Sequence, residues 1–276
     1  MDYVINFVFQ LFYFVIGIGL IGFIIYLLNV LFYKLVGNGR TVCYASGLIG
    51  TPVHELSHAL MCIIFRHKIE EIKLFQMDDA SGTMGYVSHS YNPKSRFQRL
   101  GCFFIGVAPI ICGSLLIHLL MWLLLPEEHS ALSNSLEAVS LMQNGDPLNI
   151  LAGSFEVMKD SFVAIFSSLE KGLYSIVFLL VGACIALHMK LSGADIKNAL
   201  PAVPGVIILL ALVNGVMVLV SFATPRAYRG FIHAVNFAGV YFFTLLLLSL
   251  CLTLICIAIA LVIKGVRTIV GAIKRR

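Results

Sequence analysis

Long apolar runs separated by shorter polar segments dominate the pattern of this sequence. A helix needs about 20 consecutive apolar residues to cross a bilayer. Six runs approach or exceed that length, at residues 4–33, 42–65, 100–125, 173–190, 200–222 and 237–263. The pattern predicts an all-α polytopic membrane protein with about six transmembrane helices. We expect a single membrane-embedded domain over residues 1–276.

Two polar segments between the runs carry further signals. After the second run, Lys68 to Phe75 and Thr83 to Tyr91 alternate β-branched or aromatic residues with polar ones around a turn. They predict a small β-hairpin. Residues 126–172 hold seven acidic residues against two lysines and predict an extramembrane acidic loop. Within this loop, Ser154 to Leu169 has the apolar spacing of an amphipathic helix.

Composition agrees with a membrane protein and excludes some partners. The chain is 59% hydrophobic and only 12% charged, and its net charge is +5. No basic-aromatic pattern indicates nucleic acid, so the lipid bilayer is the predicted surrounding partner. The seven cysteines lie in apolar segments and form no C-x-x-C pair. We expect them to pack as small apolar side chains, without a disulfide framework or a thiolate zinc site.

Lysine and arginine residues predict the orientation in the membrane. With six spans, thirteen of them fall on the side that holds both termini, and six fall on the other side. Positive charge accumulates on the cytoplasmic side of membrane proteins. We therefore expect both termini in the cytoplasm, the acidic loop outside, and the protein in the cell membrane.

The candidate chemistry lies in the second run, which contains the pattern H-E-x-x-H at residues 54–58. On a helix His54 and His58 are one turn apart and can share one zinc ion, with Glu55 beside them as general base. Each ionisable group in hydrocarbon costs on the order of 2.5–3.5 kcal/mol on insertion scales. Three such groups in one apolar run favour a functional metal site over a chance match.

Thr51 and Pro52 precede the motif and predict a helix start. Threonine is a frequent N-cap residue, and proline is favoured at the first helical position. The glycines at 47 and 50 permit a break just before it. We therefore expect the motif to begin a new helix in a broken span that lines a cavity.

A catalytic zinc site needs a third protein ligand and an open position. Apart from Glu55, Asp195 is the only acidic residue within or at the edge of an apolar run, and it follows a break near Ser192. We predict Asp195 as the third ligand, with helix N-capping as its alternative role. His188 is the alternative ligand. We favour a different role for His188, in which it donates a hydrogen bond behind the metal ligands, in the second shell, or stabilises an oxyanion.

These residues resemble the site-2 protease family of intramembrane zinc metalloproteases. The match rests on the motif inside a span, the hairpin after it, Gly106-Val107-Ala108-Pro109 in the next run, and Asp195 at a later break. It covers about residues 42–110 and 185–200. The family's Asn-Pro-x-Asp-Gly signature is replaced here by Leu191-Ser192-Gly193-Ala194-Asp195. The resemblance implies three spans around the zinc and cleavage of peptide bonds in or near the membrane.

The predicted function is that of a zinc metalloendopeptidase acting on a membrane-spanning or juxtamembrane protein substrate. Zinc activates a water, and Glu55 is the general base. The hairpin is expected to hold an unwound substrate by strand addition. A non-catalytic zinc-binding membrane protein, structural or sensing, is one alternative, and His188 would then close the site as a fourth ligand. A transporter is the other alternative, but the charged residues in the runs are few and cluster at one motif.

Overall fold

The computed structural model describes residues 2–37, 39–77, 83–141 and 147–273. Most of the described chain is helical, and it contains one two-stranded sheet. A π-helical turn at Phe12–Gly17 joins the first two helices, and 3-10 turns at Ser168–Lys171 and Leu200–Ala202 precede two later ones. The elements are α1 (Asp2–Leu11), α2 (Ile18–Val36), α3 (Gly39–Ile64), β1 (Lys68–Lys73), β2 (Tyr86–Ser90), α4 (Arg96–Leu124), α5 (Pro126–Leu141), α6 (Pro147–Ser167), α7 (Leu173–Ala186), α8 (Gly193–Ala199), α9 (Val203–Ala223) and α10 (Pro225–Ile273).

Four helical segments of the described chain are long and apolar enough to cross a membrane. They are Tyr3–Val36, Arg96–Leu124, Gly193–Ala223 and Pro225–Val270. The helix α7 is apolar but has only 14 residues. The helix α3 is not among the four, since the histidines and glutamate of its motif lower its hydropathy. The predicted helical membrane protein is confirmed, whereas the count of six spans is not.

The helix α3 starts well before the position that Thr51 and Pro52 predict. It runs without a break from Gly39 to Ile64, with Pro52 in its interior. The predicted helix start at Thr51 is therefore wrong. A proline inside a helix removes one backbone hydrogen bond and costs about 3 kcal/mol or more. The helix α3 packs against α2, α4 and α7, and this tertiary packing compensates for the local cost.

The predicted hairpin after the motif helix is confirmed. Strands β1 and β2 pair antiparallel, with Ile72 opposite Val87 and a bulge between Ile69 and Glu71. The predicted turn falls mostly on residues 78–82, which lie outside the described residues. The helix α3 contacts both strands, so the hairpin lies against the helix that carries the motif.

The fourth apolar run breaks before Asp195 as the sequence predicts, but its helix ends earlier than the predicted span of residues 173–190. The helix α7 ends at Ala186, residues 187–192 are not helical, and α8 begins at Gly193. The non-helical segment is held from α2, where the buried Asn29 Nδ2 donates to the Leu187 carbonyl oxygen at 3.1 Å. This break turns the chain so that α8 packs on α4.

Two glycines allow the close helix approaches around the break. A Cβ at Gly50 of α3 would come within 2.5 Å of the His188 Nδ1 atom. A Cβ at Gly106 of α4 would lie 2.6 Å from the Asp195 carbonyl oxygen. Larger side chains at these positions would push α3 and α4 away from residues 184–199, so the glycines fix the geometry of this region.

The predicted acidic loop is largely helical in the described residues. It forms α5 and α6, which pack against each other, and α6 also packs against α10. The helix α6 includes most of the predicted amphipathic segment and buries Val157 and Ile165. After α6, Lys171 Nζ donates to Glu127 at 2.6 Å and lowers the pKa of that carboxyl group.

Candidate metal centre and its cleft

Three predicted ligands from two separate helices converge on one point. The Nε2 atoms of His54 and His58 on α3 lie 3.1 Å apart. From α8, Asp195 Oδ1 lies 3.2 Å from His58 Nε2, and Oδ2 lies 3.7 Å from His54 Nε2. Zinc ligands at about 2.0–2.2 Å from the metal in tetrahedral geometry are about 3.3 Å from one another. The observed separations match the spacing of a metal site.

The other ring nitrogens of the two histidines set their orientation. His54 Nδ1 donates to the His188 carbonyl oxygen, and His58 Nδ1 donates to the Ile105 carbonyl oxygen, both at 2.7 Å. A carbonyl oxygen only accepts, so each Nδ1 carries a proton. The two facing Nε2 atoms cannot both carry one at their 3.1 Å separation. This arrangement, with backbone carbonyls behind the imidazoles, is typical of metal-ligating histidines.

Asp195 has two structural roles at once. Its Oδ2 accepts from the Ser192 backbone N–H at 2.7 Å, and Ser192 Oγ accepts from the Asp195 backbone N–H at 3.1 Å. These two bonds form a capping box at the start of α8. The predicted N-cap role of Asp195 is therefore wrong in detail, because Ser192 is the N-cap residue and Asp195, at the third helical position, completes the capping box with its side chain. The same bonds fix the carboxylate so that Oδ1 faces His58.

Glu55 lies beside the three ligands and is buried, with 6% of its surface exposed. It lines the same cavity as His54, His58 and Asp195. A Cβ added at Gly85, just before β2, would lie 2.8 Å from Glu55 Cγ. The hairpin therefore approaches the Glu55 side chain closely, in the cavity that the ligands also line.

His188 is placed near the ligands, but its imidazole is not one of the three converging groups. Its backbone carbonyl orients His54, as described above. Its Nδ1 donates to the Cys184 carbonyl oxygen at 3.0 Å, while its buried Nε2 has no hydrogen-bond partner within the described chain. The side chain lines a cavity of about 240 Å³ together with Thr51, His54 and Glu55. Its role as second-shell donor or oxyanion stabiliser stays a prediction.

The ligands face a cleft of about 590 Å³ whose other wall is the strand β2. Four consecutive residues, Tyr86 to His89, line this cleft. Side chains alternate between the two faces of a strand, so four consecutive lining residues indicate that an edge of β2 faces the cleft. The strand β1 pairs with β2 along one edge, and no other described strand pairs along the second.

Several residues around the centre are not identified by the sequence prediction. Asn29 offers a signal as one of three side-chain amides in the first apolar run, but the Ile105 carbonyl offers none. A second group of side chains that could hold a metal ion, Cys62, His67 and His89, is also present in the described residues. Cys62 therefore needs a second interpretation besides apolar packing.

Comparison of the chain with protein-family models, curated proteins and solved structures gave no match. The function of this protein is therefore inferred from the geometry of the residues that form the centre and its cleft.

Proposed function

We propose that this protein is an intramembrane zinc metalloprotease of the site-2 protease type. The observation that carries the proposal is the convergence of His54, His58 and Asp195, with Glu55 beside them, on one cleft of a helical membrane protein. Ionisable groups are costly in apolar surroundings, and such a cluster is typical of a functional site. The proposed reaction is hydrolysis of peptide bonds in or near the membrane.

The donor set supports zinc as the metal. Two imidazole nitrogens and one carboxylate oxygen, with a cleft on the open side, are typical of catalytic zinc sites, whereas structural sites have four protein ligands. The described residues contribute three donors to this group. Zinc held by His54, His58 and Asp195 supplies Lewis-acid activation of water and of the scissile carbonyl group.

The proposal gives the side chains of the site two roles, proton transfer and the maintenance of a fixed geometry. Glu55 accepts a proton from the attacking water and delivers it to the amide nitrogen that leaves when the C–N bond breaks. The carbonyls of His188 and Ile105 hold the imidazoles, and Ser192 holds the Asp195 carboxylate. These contacts fix the reacting groups before a substrate binds, which lowers the entropic cost of the reaction.

The free edge of β2 supports an extended peptide as the substrate. A peptide in a helix hides its carbonyl groups in hydrogen bonds, so a membrane-spanning substrate must unwind before cleavage. Strand addition along Tyr86 to His89 supplies backbone partners to the unwound segment. The proposed substrate is therefore a membrane-spanning or juxtamembrane protein, bound next to Glu55 and the metal ligands.

We propose that α3 and α7 complete six crossings together with the four apolar segments. With 26 residues, α3 is about 39 Å long and exceeds the roughly 30 Å hydrocarbon core. With 14 residues, α7 is about 21 Å long and too short on its own. The non-helical residues 187–192 extend its crossing, since irregular backbone is tolerated at depth where protein surrounds it. The protein then lies in the cell membrane, with the hairpin and both termini on the cytoplasmic side.

The orientation is testable by labelling with a membrane-impermeant thiol reagent on intact cells. A single cysteine is placed at Lys94, between the hairpin and α4, or at Ser130 in α5, both exposed positions. The native cysteines other than the fully buried Cys62 are changed to alanine. We expect external labelling of Ser130→Cys and labelling of Lys94→Cys only after lysis. External labelling of Lys94→Cys would contradict the proposed orientation and indicate the opposite one.

The proposed function is testable by reconstitution. The purified protein is placed in liposomes with a panel of single-span peptides that carry helix-destabilising residues in one half. We expect cleavage of some peptides, its loss after treatment with a zinc chelator, and its return when zinc is added. Cleavage that continues after complete removal of metal would contradict the metalloprotease.

A further inference from the structure

We infer that Cys62, His67 and His89 form a second metal site. It is separate from the first centre, which consists of His54, His58 and Asp195. One donor atom from each residue lies within 4.8 Å of the others. The two histidine Nδ1 atoms are 3.1 Å apart, close to the separation of about 3.3 Å expected for neighbouring zinc ligands. Cys62 is fully buried and His67 is 6% exposed, whereas His89 is half-buried, so protein encloses the group on the side away from the cleft.

The chain reverses sharply after α3 to bring His67 back to Cys62. Arg66 has φ +58°, the one positive value among the described non-glycine residues. This left-handed residue is usually glycine or asparagine at helix ends, because other side chains are strained there. The turn lets the His67 backbone N–H donate to the Cys62 carbonyl oxygen at 2.8 Å. A strained residue thus places one candidate ligand beside another, as is common at functional sites.

Contacts with α4 hold the turn and orient His67. The Gln98 side-chain Nε2 donates to the Arg66 carbonyl oxygen at 2.6 Å. His67 Nε2 donates to the Gln98 carbonyl oxygen at 2.8 Å. Since this nitrogen carries the proton of the neutral ring, Nδ1 has a free lone pair directed at His89. The same backbone-carbonyl orientation is found for the histidines of the first centre.

The third ligand connects this site to the cleft. His89 is in β2 and lines the cleft, and its Nε2 lies 3.5 Å from Asn198 Nδ2 on α8. Asn198 follows Asp195 by three residues on the same helix and the same cleft wall. A cation bound by Cys62, His67 and His89 would therefore fix the strand β2 to the end of α3, beside the first centre.

The ligand types indicate the class of metal. A thiolate with two imidazoles favours zinc or a similar borderline cation over magnesium or calcium, which prefer oxygen ligands. The first centre contains no sulfur ligand. This difference makes the two sites distinguishable by spectroscopy, independently of any proteolytic activity.

Cobalt substitution of the 276-residue chain tests the second site. The purified protein is stripped with a chelator and reloaded with cobalt(II), which gives a near-ultraviolet charge-transfer band only when a thiolate is bound. We expect two cobalt ions per chain and this band in the wild-type protein. One ion per chain without the band would overturn the second site, and this result needs no variant.

Variants assign the ligands and separate the two sites. Cys62→Ser should abolish the band and leave about one ion per chain, whereas Cys102→Ser, a change at the neighbouring buried cysteine, should keep both. His58→Ala should lose the first ion and keep the band, so failure of the protease proposal is distinguishable from failure of this one. A band that persists in Cys62→Ser would overturn Cys62 as a ligand.

Discussion

Glu55→Gln is expected to abolish peptide cleavage and to leave zinc bound at the first centre. Glutamine has nearly the same shape and hydrogen-bonding capacity as glutamate, but it cannot accept the proton of the attacking water. A general base contributes about 10²–10⁴ to the rate, so turnover should fall at least that far. The metal should remain, because Glu55 is not one of the three converging donors.

The decisive measurement is paired. Zinc per chain and the cleavage rate are determined on the same Glu55→Gln preparation. Glu70→Gln is the matched control, because Glu70 is an exposed carboxylate in β1 that bonds to Lys68 and Ser90. It should leave both values unchanged. Cleavage at the wild-type rate by Glu55→Gln would exclude Glu55 as the general base. Loss of zinc together with activity would indicate that Glu55 is a metal ligand.

This comparison also separates the protease from a non-catalytic zinc-binding protein. A binder has no turnover to lose, so the wild type and Glu55→Gln would be equally inactive on every substrate tested. The open cleft beside the three donors favours the protease, because a structural zinc site is closed by four protein ligands.

The sequence predicts the parts of the centre that follow from the spacing of nearby residues or from the small number of carboxylates in the apolar runs. His54 and His58 share a face because the helix has 3.6 residues per turn. Asp195 is identified because carboxylates in apolar runs are costly and therefore few. The hairpin is identified from its β-branched residues and turn. In each case the signal lies in neighbouring residues or in composition.

The features that the sequence does not predict depend on contacts between distant segments. The carbonyls of Ile105 and His188 orient the ligands, but any residue type carries a carbonyl group. The helix α3 passes through Pro52 because tertiary packing outweighs a local preference. Cys62 joins His67 through a turn at Arg66, where the expected residue is glycine or asparagine.

For the fold as well, the sequence predicts which segments are membrane helices better than it predicts where those helices begin and end. Apolar runs identify helices in a membrane, but the ends of those helices depend on packing, as the interior position of Pro52 demonstrates. The acidic segment predicts an extramembrane loop because it is polar, and only Ser154 to Leu169 within it has the apolar spacing of a helix. Its helices α5 and α6 are stabilised instead by burying residues such as Leu132 and Val157 in the core.

Asp195→Asn is expected to remove zinc from the first centre without unfolding α8. The amide oxygen of asparagine can still accept from the Ser192 backbone N–H, so the capping box is largely retained. The neutral side chain is a poorer zinc ligand than carboxylate. Loss of an outer-shell partner already weakens metal binding by about 10–100-fold, and loss of a ligand should cost at least as much. Cleavage should be lost together with the metal.

Ser192→Ala is the matched change, because it removes the cap and keeps the ligand. It should lower stability by about 1 kcal/mol, the usual contribution of an N-cap side chain, while zinc remains bound. Thermal unfolding and zinc retention against a competing chelator are measured on both variants. If Asp195→Asn held zinc as tightly as the wild type, Asp195 would be only a capping residue. The third ligand would then be sought at His188, whose buried Nε2 lacks a partner within the described chain and lines the adjoining cavity.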